Sequence, residues 1–176
     1  MTDKTTIHGW KVIADGNSPM LKLFTVPGTT RKMRLRKDVG PYLVAFVSEY
    51  HKLVSPIDKG TFDDWAWSPL RTGRASSRIS DHCGGVAVDV NATGEGRQGR
   101  GLAWFLAHPV RYRRLKGLLK KYRLLEWGGF YSAKNVDPMH FVIKTPDVVA
   151  VRREMLRLGI TPTGRFKTVS GAPAAP

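Results

Sequence analysis

Hydrophobic positions recur with a helical period in two stretches of the chain and alternate in several others. After Pro41, the residues Leu43, Phe46, Val47, Tyr50, Leu53 and Val54 repeat at three- and four-residue spacing as far as Pro56, which predicts a core helix with proline near its first position. Pro109 opens a second pattern, with Tyr112, Leu115, Leu118, Leu119 and Tyr122 as the inner stripe, and a shorter helical piece, Leu102 to Ala107, precedes it. Thr145, Pro146 and Asp147 form a good start for a last helix running to Gly159. Residues 31–38 (RKMRLRKD) alternate as a basic exposed strand. Val86 to Val90 reads as a short buried strand opened by Gly84-Gly85, and a further strand is expected over about Met139 to Lys144. Residues 7–30 read as irregular or short extended structure, Trp127-Gly128-Gly129 as a break, and 91–101 (NATGEGRQGRG) as a mobile surface loop.

At 176 residues the chain suits one domain, expected over 1–165, with a flexible Pro/Ala-rich tail or linker at 166–176. Apolar residues make up 41%, so the chain can bury a core, yet no apolar run approaches the eighteen or so residues of a membrane helix. The first twenty residues lack a signal-peptide core, so no transmembrane segment and a cytoplasmic location are expected. A single cysteine, Cys83, excludes an internal disulfide. The formal charge of +15 favours a polyanionic partner without choosing among nucleic acid, cell envelope and lipid. The charge concentrates on the outer face of the second helix, where Arg111, Arg113, Arg114, Lys116, Lys120, Lys121 and Arg123 stand with no acid among them. No nucleic-acid-binding motif accompanies that face, and the glycines of 94–101 lack the strand, helix start and Lys-Ser/Thr of a phosphate loop. No specific nucleic acid is therefore expected, and the basic face is read as solvated, with loose affinity for anionic envelope polymers.

Five histidines allow few constellations. In the strand 86–90, Val86, Val88 and Val90 face one way and Ala87 and Asp89 the other, so Asp89 is an acid in an apolar strand with a small neighbour beside it. His82 lies seven residues earlier, and Gly84-Gly85 lets the chain turn so that both side chains converge. His140 shares a face with Val142; if its strand neighbours the first, His82, Asp89 and His140 form a set suited to Zn²⁺ with a fourth position left for water. Taken singly, each histidine is more often an ordinary hydrogen-bonded residue. Cys83 is read as packing. Asp137 is a candidate base, although an Asp-Pro turn is the commoner role for such a residue. Arg71, among Trp65, Trp67 and Pro69, is the favoured cation for an oxyanion, with Arg74 and Arg78 as competitors. Asp63 and Asp64 point apart as sequence neighbours, which suits turn or cap duty better than a paired-carboxylate site. Trp127 can line a cleft or simply be core.

The spacing Ser80, His82, Gly85, Ala87, Asp89, followed by Glu126-Trp127-Gly128-Gly129 and Asp137-Pro138-Met139-His140-Phe141, resembles the M15 metallopeptidases that cut peptidoglycan stem peptides as D-alanyl-D-alanine carboxypeptidases or L-alanyl-D-glutamate endopeptidases. Weaker similarity at His8-Gly9-Trp10 and Asp63-Asp64-Trp65 extends to peptidase domains of phage endolysins, particularly of phages infecting mycobacteria. The chain departs from the family pattern at Phe130, Val142 and Ser68-Pro69-Leu70-Arg71. The resemblance implies a small α+β domain of Hedgehog/DD-peptidase type, its antiparallel sheet carrying the site and packed against helices. It also implies a Zn²⁺ held by His82, Asp89 and His140, Asp137 as general base and acid, and Arg71 steadying the oxyanion. Bacterial peptidoglycan is then the partner, a monomer is expected, and release from the host cytoplasm needs a separate permeabilising protein. Two alternatives stay open: a basic nucleic-acid-binding protein with a structural His/Asp cluster, and a non-catalytic wall-binding relative.

Overall fold

A computed structural model describes residues 4–58, 61–69, 78–94 and 101–167. Among these, two antiparallel sheets and four helices make a mixed α+β fold. Strand β1 (Leu21–Thr25) pairs with β2 (Lys32–Arg36), and helix α1 spans Gly40–Leu53. Strand β3 (Ala87–Asp89) precedes helices α2 (Ala103–Ala107) and α3 (Pro109–Lys121). Strands β4 (Leu125–Trp127) and β5 (His140–Ile143) and helix α4 (Val148–Arg157) complete the order.

The three-stranded sheet has the order β3-β5-β4, with Val88 opposite Phe141 and Phe141 opposite Trp127. Because side chains alternate along a strand, Val88, Phe141 and Trp127 lie on one face, and Ala87, Val142 and Glu126 on the other. The first face is the core. Phe141 meets Phe46 and Tyr50 of α1 at ring-centroid distances of 4.8 and 5.7 Å, and Trp127 meets Phe105 at 5.1 Å. Helix α1 is buried on nearly every side, from Gly40 through Ser48, as expected of a helix wrapped by two sheets and two further helices. Helix α4 begins where Asp147 accepts hydrogen bonds from the amides of Val149 and Ala150, the cap that the Thr-Pro-Asp signal predicts.

The structure differs from the sequence reading in three places. Residues 21–25 are a regular strand, held by the alternating partner that RKMRLRKD supplies. Trp127 does not merely break the helix before it: Leu125 and Trp127 turn inward as strand β4, and the break begins at Gly128. The stretch from Asn91 does not begin as a surface loop, since Asn91 and Ala92 are buried, while residues 95–100 lie outside the described residues. Asp63 and Asp64 account for this. The Asp63 carboxylate accepts from the Thr93 amide and hydroxyl, and Asp64 accepts from the Asn91 amide and pairs with Arg31, so in place of the local turn or cap duty expected of them the two acids tie distant segments together. The chain remains packed at its described end, where Ile160 bridges Phe166. No helix among the described residues is long and apolar enough to cross a membrane.

Candidate metal centre

The second face of the three-stranded sheet carries the candidate site. Asp89 at the end of β3 stands directly opposite His140 at the start of β5, and the two side chains share a face with Ala87, Val142 and Glu126. His82 arrives from a 3-10 turn, Asp81–Gly84, which Gly85 closes with φ +67°, a left-handed conformation that glycine adopts without strain. The result is a triangle of ligand atoms. His82 Nε2 lies 3.1 Å from Asp89 Oδ1 and 3.2 Å from His140 Nδ1, and His140 Nδ1 lies 2.9 Å from the same carboxylate oxygen.

Backbone contacts hold each corner. The Asp89 amide and carbonyl both bond to Trp65, at 2.8 and 2.9 Å, so β3 is braced on the side away from β5. His82 Nδ1 lies 2.6 Å from the Ala66 carbonyl, which can only accept; Nδ1 therefore carries a proton, and Nε2 is the ring atom turned toward the cluster. The Trp127 indole donates to the Pro138 carbonyl at 2.8 Å, and the Asp137 amide to the Gly128 carbonyl at 2.9 Å, which fixes the segment leading into His140. Trp127 is thus core, with a positioning bond to the site.

Burial disfavours an ionised Asp89, yet the neighbouring His82 and His140 imidazoles outweigh it and hold the carboxyl far below the usual carboxylate range. For His140, burial opposes protonation, but the hydrogen bond and charge of Asp89, helped by Asp137 and Asp81, raise its pKa. Two imidazoles and a carboxylate aimed at one point suit a cation. Zinc bonds to such ligands run about 2.0–2.2 Å, so tetrahedral ligand atoms sit roughly 3.3 Å apart. The observed separations of 2.9 to 3.2 Å need only a small outward adjustment to meet that geometry, and the Ala66 carbonyl behind His82 is the kind of partner that fixes a ligand's tautomer. The donor set therefore fits Zn²⁺. These are the three residues singled out from the sequence, and among the described residues they form the one group of His, Cys, Asp or Glu that could hold a metal ion.

Asp137 is half-buried; its carbonyl accepts the His140 amide at 3.1 Å, and its charge is felt by the His140 ring. Cys83 is buried with Sγ 3.4 Å from the Pro69 carbonyl, outside the triangle. Arg71 and Arg74 lie outside the described residues, and Arg78 is exposed.

Sequence reasoning missed a second polar cluster beside the triangle. Asp81 accepts from the Thr6 hydroxyl at 2.6 Å and the His8 amide at 3.1 Å, and its other oxygen lies 2.9 Å from His8 Nδ1. His8 Nε2 lies 3.4 Å from Glu126, so the ring links the turn that presents His82 to strand β4. The hydrogen bond to Asp81 raises the His8 pKa against the opposing effect of burial. The available signal was the alternation of Glu126 between two inward residues, which becomes legible only once β4 is recognised as a strand.

The described residues form a small α+β fold with a His-Asp-His cluster on one sheet face that could hold a metal ion. Residues 74–143, less than half of the chain, match the sequence model of an M15 peptidase family described as D-alanyl-D-alanine carboxypeptidase. The matched segment contains His82, Asp89 and His140 together with Asp137 and Glu126. No curated protein and no solved structure matches the chain.

Proposed function

We propose that the chain is a zinc-dependent peptidase that hydrolyses peptidoglycan stem or cross-link peptides, serving as the catalytic domain of a phage lysin in host cell lysis. The observation that carries this reading is the convergence of His82 Nε2, Asp89 Oδ1 and His140 Nδ1 inside the segment that matches the peptidase family. His82, Asp89 and His140 would hold the zinc, which when bound would supply Lewis acidity toward the scissile carbonyl and toward water. Asp137 takes the proton of the attacking water and returns it to the leaving amine nitrogen, so one carboxylate serves both halves of the reaction. Arg71 supplies positive charge to the developing oxyanion. Asp89 stays ionised and His82 keeps its proton on Nδ1, so neither ligand competes for the proton that Asp137 moves.

Digestion of purified sacculi, with mass-spectrometric identification of new amino termini, tests the reading. One new terminus that disappears on chelation and returns with zinc is expected, and the residue at that terminus identifies the bond cut. Asp137→Ala should keep about one zinc per chain and lose the new terminus. Sacculi left intact at saturating zinc would falsify the peptidase assignment, and an unchanged lytic effect of Asp137→Ala would point to a wall-binding relative.

A further inference from the structure

Strand β4 is the outer strand of its sheet, and between it and α3 runs a groove of about 400 Å³. Its floor is apolar: Leu119 and Leu125 contribute, and Phe130, 61% exposed, stands edge-on to Trp127 with ring centroids 5.0 Å apart. Its rim is cationic. Lys116, Lys120 and Arg123 come from α3 and the turn after it, and Lys144 from the end of β5, all four exposed. The single acid in the groove, Glu126, is engaged by His8 and by the Tyr131 hydroxyl.

We propose that this groove is a peptide subsite that takes an extended acidic segment, its carboxylates paired with Lys116, Lys120, Arg123 and Lys144 and its aliphatic parts laid on Leu119, Leu125 and Phe130. The proposal rests on the peptidase reading for the identity of that peptide as the substrate, and it deepens that reading by naming where the substrate's acidic part is held. Three observations favour a peptide over a nucleic acid, the other polyanion the charge would suit. Of the β4 residues lining the groove, Leu125 and Trp127 face the core side with α3, while Glu126 turns to the sheet face that carries His140 and Asp89, so a chain lying along the β4 edge can pass from the groove toward that face. One exposed aromatic ring offers a single stacking surface, whereas strand-binding proteins stack successive bases. The Leu124 carbonyl accepts from the Lys144 amide beside β5, which by the antiparallel alternation directs the Leu125 carbonyl away from β5, the direction from which an extended chain can be recognised.

The test is a titration of the zinc-loaded chain, followed by NMR, with the tetrapeptide L-Ala–D-Glu–diaminopimelate–D-Ala. Binding is read from protein shifts and cleavage from peptide signals in the same spectra, so an inactive enzyme that binds in the groove refutes the function while leaving this site intact. Shifts are expected to cluster on residues 116–130 and 144. Conversion of the peptide carboxylates to carboxamides, and separately the double variant Lys120→Glu, Arg123→Glu, should each weaken binding at least tenfold, with the melting temperature of the variant unchanged because both side chains are exposed. Equal affinity for the amidated peptide, unaltered binding by the variant, or shifts confined elsewhere would overturn the proposal. So would displacement of the peptide by a short oligothymidylate that binds more tightly, which would make the groove a nucleic-acid site.

Discussion

A methyl group at Gly128 should disable the site without touching any ligand. The backbone of Gly128 lies against that of Asp137: a Cβ added there would fall inside the contact radius of the Asp137 carbonyl oxygen, with the Asp137 carbonyl carbon and Cβ both at 3.1 Å. No flexible side chain can move aside, so the two segments must part by about 1 Å, a strain of about 1–3 kcal/mol for such overpacking. The displaced carbonyl is the one that accepts the His140 amide, so the shift passes into the third ligand as well as into Asp137. A misplacement of about 1 Å in a reacting group lowers a rate roughly a hundredfold, and loosened support of a ligand weakens metal affinity by about 10- to 100-fold. Gly128→Ala should therefore melt roughly 2–12 °C lower, taking about 2–4 °C for each kcal/mol in a chain of this size. Competition with a fluorescent zinc chelator should show weaker binding, and sacculus digestion should slow. Gly117→Ala is the internal control. Gly117 lies within α3 with nothing within 4 Å of an added Cβ, so this change should stabilise by about 0.5–1 kcal/mol. If Gly128→Ala keeps the parent's melting temperature and zinc affinity, the idea that this close backbone contact sets the position of residues 137–140 is wrong.

Other expectations follow from the same geometry. Asp89→Asn keeps the β3 backbone but removes the anionic corner, so zinc retained after gel filtration should drop from about one per chain to near none; stoichiometric zinc in the variant would count against the triangle. His8 should titrate above 6.5 by NMR, and Asp81→Asn should bring it down. Since its folded pKa is raised, the His8 contribution to stability is complete below pH 6.5 and disappears as pH rises through the folded value, so melting temperature should fall over that interval in the parent and less in Asp81→Asn. Glu49 accepts from the buried Tyr122 hydroxyl at 2.6 Å and pairs with Lys121 at 2.7 Å; Glu49→Gln should lose about 1 kcal/mol, read by urea denaturation, and no change would mean that the pair is fully screened.

The gathering of His82, Asp89 and His140 was legible because its signals are local: a carboxylate in an apolar alternating strand, glycines permitting a turn, and a histidine on the outward face of a second strand. Helices α1, α3 and α4 were legible for the same reason, each carrying its own period or cap. What escaped the sequence depends on pairing. Strand β4 has three residues and becomes a strand only because β5 lies beside it, and without it Glu126 has no assignable face. Lys121 belongs by spacing to the solvated basic face, yet it turns to Glu49 on α1, a partner 72 residues away that no local pattern announces. The Ala66 carbonyl that sets the His82 tautomer comes from a segment without periodicity, positioned by the bridge from Trp65 to Asp89.

The opposition of Asp89 and His140 across β3 and β5 makes the site a gauge of strand alignment. A slip of one residue would turn the imidazole toward the aromatic interior and bring Phe141 out in its place, and a slip of two would set Val142 against the carboxylate. Only one alignment of these short strands brings a nitrogen to that oxygen. An ion clasped between them would reward the native pairing over its near neighbours, so the proposed metal centre would also guard a three-residue ladder too brief to specify itself.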